Sequence, residues 1–289
     1  MIKFIVLFLF SFLSLIFNVS AEEVEQNLSD FNLSGFSDKG RKSWEIVGKS
    51  ADIYAQIVRI NNLNARFFRD DEDIELQAKE ADFNKTNGYL TLRKDVLITT
   101  TKGAMLTTDM LEWNRNQQII STKDRVDIQR DNIIASALGA FASLDLKKIN
   151  LEKDVSVQIG SQSTEALFDK SSKDKIIITC DGPMEIDYDK NIAIFNNNVK
   201  IVKEDIQICS DRVEVYFLKG SIKINPSAEA ENQIEKIHAF GNVRIIKDEN
   251  VSFSQEAIYV PKDKKIVLNG KPRLIIYPDE GGWGAASRD

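Results

Sequence analysis

The chain has 289 residues, with 38 Lys and Arg against 44 Asp and Glu, one His, two Cys and five Pro. A formal net charge of −6 argues against a general nucleic-acid binder, which needs a basic surface to displace counterions. One His and two Cys leave little for a Cys/His metal centre or a His-based triad. The 43% hydrophobic share can build a core, which argues against wholesale disorder, and the length allows one large domain or two ordinary ones.

Residues 1–21 (MIKFIVLFLFSFLSLIFNVSA) place Lys3 ahead of an apolar run, then the small residues Val19, Ser20 and Ala21, then Glu22 and Glu23. This is the layout of a secretory signal peptide. The run is short for a bilayer span, which needs roughly 20 apolar residues; an uncleaved N-terminal anchor is the alternative. Either form puts the rest of the chain outside the cytoplasm. The next stretch, to about Asn32, is polar and acidic and reads as poorly ordered.

From residue 35 to 277 short runs alternate apolar and polar residues at period two, the mark of half-buried strands. The alternation recurs. A Val-x-Ile/Val step stands at Val96/Ile98, Val126/Ile128, Val155/Val157, Val199/Ile201 and Val243/Ile245, and the first intervals are 30 and 29 residues. A second frame lies between these steps, from Thr107 to Trp113, Cys180 to Ile186, Cys209 to Val215 and Phe253 to Tyr259. Such a unit cannot bury its apolar face alone, so neighbouring units must stack. The polar stretch 221–235 reads as a loop inserted into one repeat, and 160–175 as a domain boundary; Asn87-Gly88 and Asn269-Gly270 are hairpin dipeptides. Since every second residue of a strand points to one face, the inward candidates are Val96, Ile98, Leu111, Trp113, Val126, Ile128, Val199, Ile201, Val213, Val215, Val243, Ile245, Phe253 and Tyr259. Periodicity alone leaves open whether they line a groove or fill a closed core.

Two sets of segments carry a family resemblance. Residues 44–51 (WEIVGKSA), 64–68 (NARFF), 106–113 (LTTDMLEW), 119–122 (IIST) and 126–129 (VDIQ) resemble LptC, the periplasmic component of the lipopolysaccharide exporter. Residues 195–201 (FNNNVKI), 206–216 (IQICSDRVEVY), 237–243 (IHAFGNV) and 266–270 (IVLNG) resemble LptA, the OstA-like bridge protein. The resemblance spans about residues 35–278 and implies an all-β fold: two consecutive open β-jellyrolls built of stacked 29–30-residue strand repeats. The expected organisation is an LptC-like unit over 35–160, a linker over 161–175, an LptA-like unit over 176–279 and a disordered tail over 280–289. It further implies an apolar groove, lined by the inward residues, that takes lipid A acyl chains from an inner-membrane ABC transporter toward an outer-membrane translocon. Partners would add strands at free sheet edges, expected at 44–51 and at 273–277 between Pro272 and Pro278, and copies of the chain could associate end to end.

The remaining signals are weaker. Cys180 and Cys209 occupy equivalent repeat positions, so an oxidising compartment permits a disulfide between them; two buried thiols are the alternative. His238 has no second ligand beside it and reads as structural, and no metal, cofactor or catalytic residue is nominated. The acidic run 69–75 lacks the ligand spacing of a calcium loop. Lys94, Lys200 and Arg244 could meet lipid phosphates or be ordinary outward residues. A β-solenoid enzyme acting on extracellular polysaccharide and a closed structural stack are the competing readings.

Overall fold

A computed structural model describes residues 25–70, 72–160, 175–218 and 234–277. The expected signal peptide, the polar linker over 161–174, the first thirteen residues of the inserted loop and the tail lie outside the described residues. Within them the chain is almost entirely strand: β1 (Gln26–Phe36), β2 (Lys42–Ile53), β3 (Ile57–Phe67), β4 (Ile74–Asn84), β5 (Tyr89–Thr100), β6 (Met105–Asn114), β7 (Ile119–Arg130), β8 (Ile133–Ser143), β9 (Lys148–Ile159), β10 (Ile176–Cys180), β11 (Met184–Asp187), β12 (Ile192–Lys203), β13 (Ile206–Phe217), β14 (Ile234–Lys247), β15 (Asn250–Val260), β16 (Lys265–Asn269) and β17 (Arg273–Ile275).

All 17 belong to one sheet, every pairing is antiparallel, and apart from the two split rungs each is made with a neighbour in sequence. Two rungs are split: β10 and β11 lie end to end between β9 and β12, and β16 and β17 lie end to end against β15. The repeat is therefore a hairpin of two long strands in a meander, and the parallel stacking of a β-solenoid is absent among the described residues. The stretches 35–160 and 176–279 share this sheet directly, through Ile176 against Ile159 and Met184 against Leu151.

Most long strands are creased at mid-length. Left-handed backbone occurs at Asp30 in β1, Asn62 in β3, Lys94 and Asp95 in β5, Gly139 in β8, Asp154 in β9, Gly182 between β10 and β11, Asn197 and Asn198 in β12, and Gly241 and Asn242 in β14. The registers of adjoining pairs shift at the same level, for instance between Arg93 and Val96 and between Phe240 and Val243. Extra residues of this kind bend a strand and sharpen its twist, and Gly, Asn and Asp are the residues that tolerate the left-handed region. Aligned across the sheet, the bends form one crease that folds it into two leaves. Residues 96–100, 125–130 and 199–203 lie on one leaf; 89–93, 119–122 and 192–196 lie on the other. That the leaves face each other is visible in Phe67 and Trp113, from opposite leaves, whose rings meet edge-on at 5.0 Å. The inward side chains of both leaves merge into one apolar cluster, with Phe195, Leu76, Leu92, Ile98 and Leu151 fully buried.

The rims opposite the crease are tied together in two places. Arg69 donates to Gln118 Oε1 at 2.7 Å. Farther along, Arg130 crosses from the end of β7 to the β8–β9 turn, donating to the carbonyls of Leu146 at 3.1 Å and Asp145 at 3.5 Å, and its guanidinium lies 4.4 Å from the ring centroid of Tyr188. Burial pushes the Tyr188 phenol well above its ordinary range, with Arg130 acting in the opposite sense. The Glu72 carboxylate, 1% exposed, stands 3.5 Å from Lys102 and 4.0 Å from Arg130, and neither of its oxygens has a hydrogen-bond partner.

The structure corrects three expectations. From Gln26 the segment before Asn32 is ordered: it forms β1, paired with β2 from Gln26 against Ile53 to Phe36 against Lys42. Residues 44–51 therefore lie inside the sheet, and β1 is the N-terminal edge. Cys180 and Cys209 are free thiols. Thr179, not Cys180, is level with Cys209, through Lys200 of the intervening strand β12. Cys180 also points inward with Ile178 while Cys209 points outward between the inward Ile208 and Ser210. Two inter-strand spacings, roughly 10 Å, exceed the reach of about 7 Å that a disulfide allows.

Two stability predictions follow from the crease and the rim. A Cβ on Gly182, at φ +94°, would lie 2.2 Å from the Glu152 carbonyl oxygen, so Gly182→Val is expected to destabilise the β9 junction by more than about 3 kcal/mol. Gly40→Asn, with no heavy atom near its Cβ position, should cost under about 1 kcal/mol; denaturant midpoints by circular dichroism check both. Arg130→Met should cost about 1–3 kcal/mol by removing its hydrogen bonds to the Leu146 and Asp145 carbonyls and one of the two cations beside Glu72, and adding Glu72→Leu should recover only part of that loss.

Candidate functional site

The cleft between the leaves has room for a ligand, and it differs along its length; a further depression of about 440 Å³ lies on the outer side of the sheet beside Ile119, Phe141 and Ile194. Its middle is full. Val96, Ile98, Leu111, Val126, Ile128, Val199, Val213, Val215, Val243 and Ile245 all point into it and are buried in the common cluster. Alternation placed these side chains on the inward face, but here they pack against one another.

Toward the N-terminal edge the leaves splay around a cavity of about 290 Å³. Its walls come from β1 to β6: Leu28, Phe31 and Leu33 of β1, Trp44 and Ile46 of β2, Phe67 of β3, Phe83 of β4 and Trp113 of β6 are among them. The lining is apolar except for Arg115, in the β6–β7 turn. The Arg115 guanidinium stands 5.8 Å from the Phe83 ring centroid. The indole Nε1 of Trp113 is buried without a hydrogen-bond partner, which is uncommon for a buried donor. A smaller cavity, about 60 Å³, opens between the leaves nearer the C-terminal end, with Ile201, Ile206, Ile237, Tyr259 and Ile266 in its lining.

Of the fourteen candidates, Trp113 thus lines the N-terminal cavity, and Ile201 and Tyr259 line the C-terminal one. Phe253, expected to face inward, does not: it is level with the outward Arg244, while Ser252 and Ser254 oppose the inward Ile245 and Val243, and the Arg273 guanidinium lies 5.1 Å from its ring centroid. The sequence reading did not include Leu28, Phe31 and Phe67. Asp30 adopts left-handed backbone between Leu28 and Phe31 and shifts the phase of β1, so both can face the cavity although they are three residues apart.

The polar candidates sit elsewhere. Lys94 pairs with Glu80 at 2.5 Å at the crease, and Lys200 and Arg244 are exposed on the outer face. His238 lies on the outer face as well, its ring centroid 3.7 Å from that of Phe240 and its Nε2 3.9 Å from Glu256. Among the described residues no group of three His, Cys, Asp or Glu side chains could hold a metal ion.

Among the described residues the sheet ends in two free edges. At the C-terminal one, β16 and β17 pair on one side only, with β15. Around them Leu274 is 57% and Tyr277 55% exposed, with Ile266, Val267, Ile275 and Ile276 exposed too. A cleft open near both ends, in a sheet whose edges can each take another strand, suits a chain that holds apolar material and docks in series.

The chain matches no curated protein at a significant level. The family model described as lipopolysaccharide-assembly, LptC-related matches residues 6–159, more than half of the chain. A second, described as LptA/(LptD N-terminal domain) LPS transport protein, matches residues 182–286. With the folded sheet and its cleft, these matches place the chain in the LptC-related lipopolysaccharide-assembly family, as an LptC-like half fused to an LptA-like half with a role in lipopolysaccharide transport.

Proposed function

We propose that this chain is a periplasmic bridge that takes lipopolysaccharide from an inner-membrane ABC transporter at its LptC-like end and hands it on, through its LptA-like end, toward an outer-membrane translocon. The observation that carries this reading is the apolar N-terminal cavity between the leaves, in a chain of this family. Each acyl CH₂ buried there contributes roughly 0.8 kcal/mol. Apolar contacts have no preferred direction, so a chain held by them can slide. The work would be supplied by the partner ATPase, and the protein itself would do no chemistry. Because the middle of the cleft is packed, the lipid would lodge near the ends, and passage between them would require the leaves to part where Arg130 ties the rims. The free edges would join the partners by strand addition, β1 on the transporter side and β16 with β17 on the translocon side. No helix among the described residues is long and apolar enough to cross a membrane.

Photoreactive side chains test the cavity. Placed at Phe67 or Trp113, and at Tyr259, they should crosslink lipopolysaccharide in cells; placed at the outward Lys94 they should not. Equal crosslinking from Lys94 would count against a cleft-bound lipid. The edge is tested by Leu274→Asp with Ile276→Asp. Both side chains are exposed, so the thermal midpoint should hold while recovery of the outer-membrane partner in pull-downs falls about tenfold.

A further inference from the structure

Most arginines around the N-terminal end of the cleft already have carboxylate partners: Arg41 with Asp70, Arg59 and Arg93 with Asp82, Arg66 with Asp73. Arg69 and Arg115 do not. Neither forms an ion pair among the described residues; Arg69 donates to the Gln118 amide and Arg115 lies against Phe83. The two come from opposite rims and are linked through Gln118. Arg69 follows β3 on one leaf, and its partner Gln118 belongs to the β6–β7 turn of the other, which also carries Arg115 and is braced by Gln118 donating to the Arg115 carbonyl at 2.7 Å. This turn borders the cavity, where Arg115 is the only charged lining residue. Two residues before Arg115, the buried Trp113 Nε1 has no acceptor.

One guanidinium in the lining of an apolar cavity, a second tied to the turn that carries it, neither of them in an ion pair among the described residues, and an unpaired donor on a lining residue make up one half of a recognition site. An amphiphile with an anionic head supplies the other half. A guanidinium fork binds phosphate in bidentate fashion, which fixes orientation as well as adding affinity. We propose that Arg69 and Arg115 bind a phosphate on the head group of a lipid whose acyl chains occupy the N-terminal cavity, and that Trp113 donates to a carbonyl of the acyl linkage just inside it. The inference rests on the reading that acyl chains enter this cavity, and it adds the chemical feature by which the chain selects its lipid. The phosphate would hold the head at the rim while the chains go in, setting the orientation in which the lipid enters.

The experiment measures binding of the full chain to diphosphorylated lipid A, to the same lipid A with both phosphates removed, and to inorganic phosphate. The wild-type chain should prefer the phosphorylated lipid about tenfold, and raised salt should erode the preference. Arg69→Gln with Arg115→Gln should abolish the preference while leaving affinity for the dephosphorylated lipid within about twofold, and Arg69→Lys with Arg115→Lys should restore part of it. Trp113→Phe should weaken both lipids alike. Survival of the preference in the double Gln variant would overturn the assignment, as would equal loss for both lipids. Inorganic phosphate alone should not compete at millimolar concentration; competition lost in the double variant would mean a free-anion site and would overturn the lipid assignment. A wild-type chain that binds both lipids without preference refutes only this inference, whereas one that binds neither refutes the cavity reading beneath it.

Discussion

A long antiparallel meander with one apolar face must hide that face, and this chain has no α-helix among its described residues to cover it. The sheet covers itself. Everything else depends on the crease that permits this, a line of left-handed residues at the same level in successive strands. Without it the inward Val and Ile side chains would face water along the whole sheet. With it they meet across a thin interior, and the places where the leaves fail to close are the places where a ligand can enter. The closed middle and the open ends are two outcomes of the same fold, decided by what stands on the rims. At Arg130 a guanidinium, a phenol and two carbonyls hold the rims together. Near β1 to β6 the leaves are lined by large rings that do not fill the gap.

Much of this was legible in the sequence because strand periodicity is a direct record of which way side chains point. Val96, Val126, Val155, Val199 and Val243 open the second halves of β5, β7, β9, β12 and β14, so their spacing measures one hairpin. The inward set was found for the same reason, except Phe253, which the crease puts out of phase with Ala257 and Tyr259. What periodicity does not record is distance to the opposite wall: Val215 and Trp113 alternate in the same way, but one is packed and the other borders a cavity. The misreadings arose at the crease. Asp30 flips the phase of β1, so a regular strand read as polar coil. The corner between β10 and β11 carries one residue more than its counterpart in β13, so Cys180 and Cys209 aligned in sequence while pointing to opposite faces. The pairing of Arg69 with the turn that holds Arg115 spans nearly fifty positions and leaves no local pattern at all.

The two family matches meet close to the split strand, where β9 passes directly to β10 and β11. Elsewhere along the sheet one strand hands over to the next by backbone hydrogen bonds, and the junction between the two halves uses the same means. An interface between two such proteins and a fusion of them therefore require the same geometry, an unbroken ladder, and the fused chain needs no special joint.

Because each strand touches chiefly the strands before and after it, length is an adjustable quantity in this architecture. Adding or deleting one hairpin changes the span along the sheet by about 10 Å and leaves every other pairing intact. A protein built this way acts as a ruler marked in hairpins. Tandem duplication of a short coding segment could match it to a wider or narrower gap between membranes, with no new fold required.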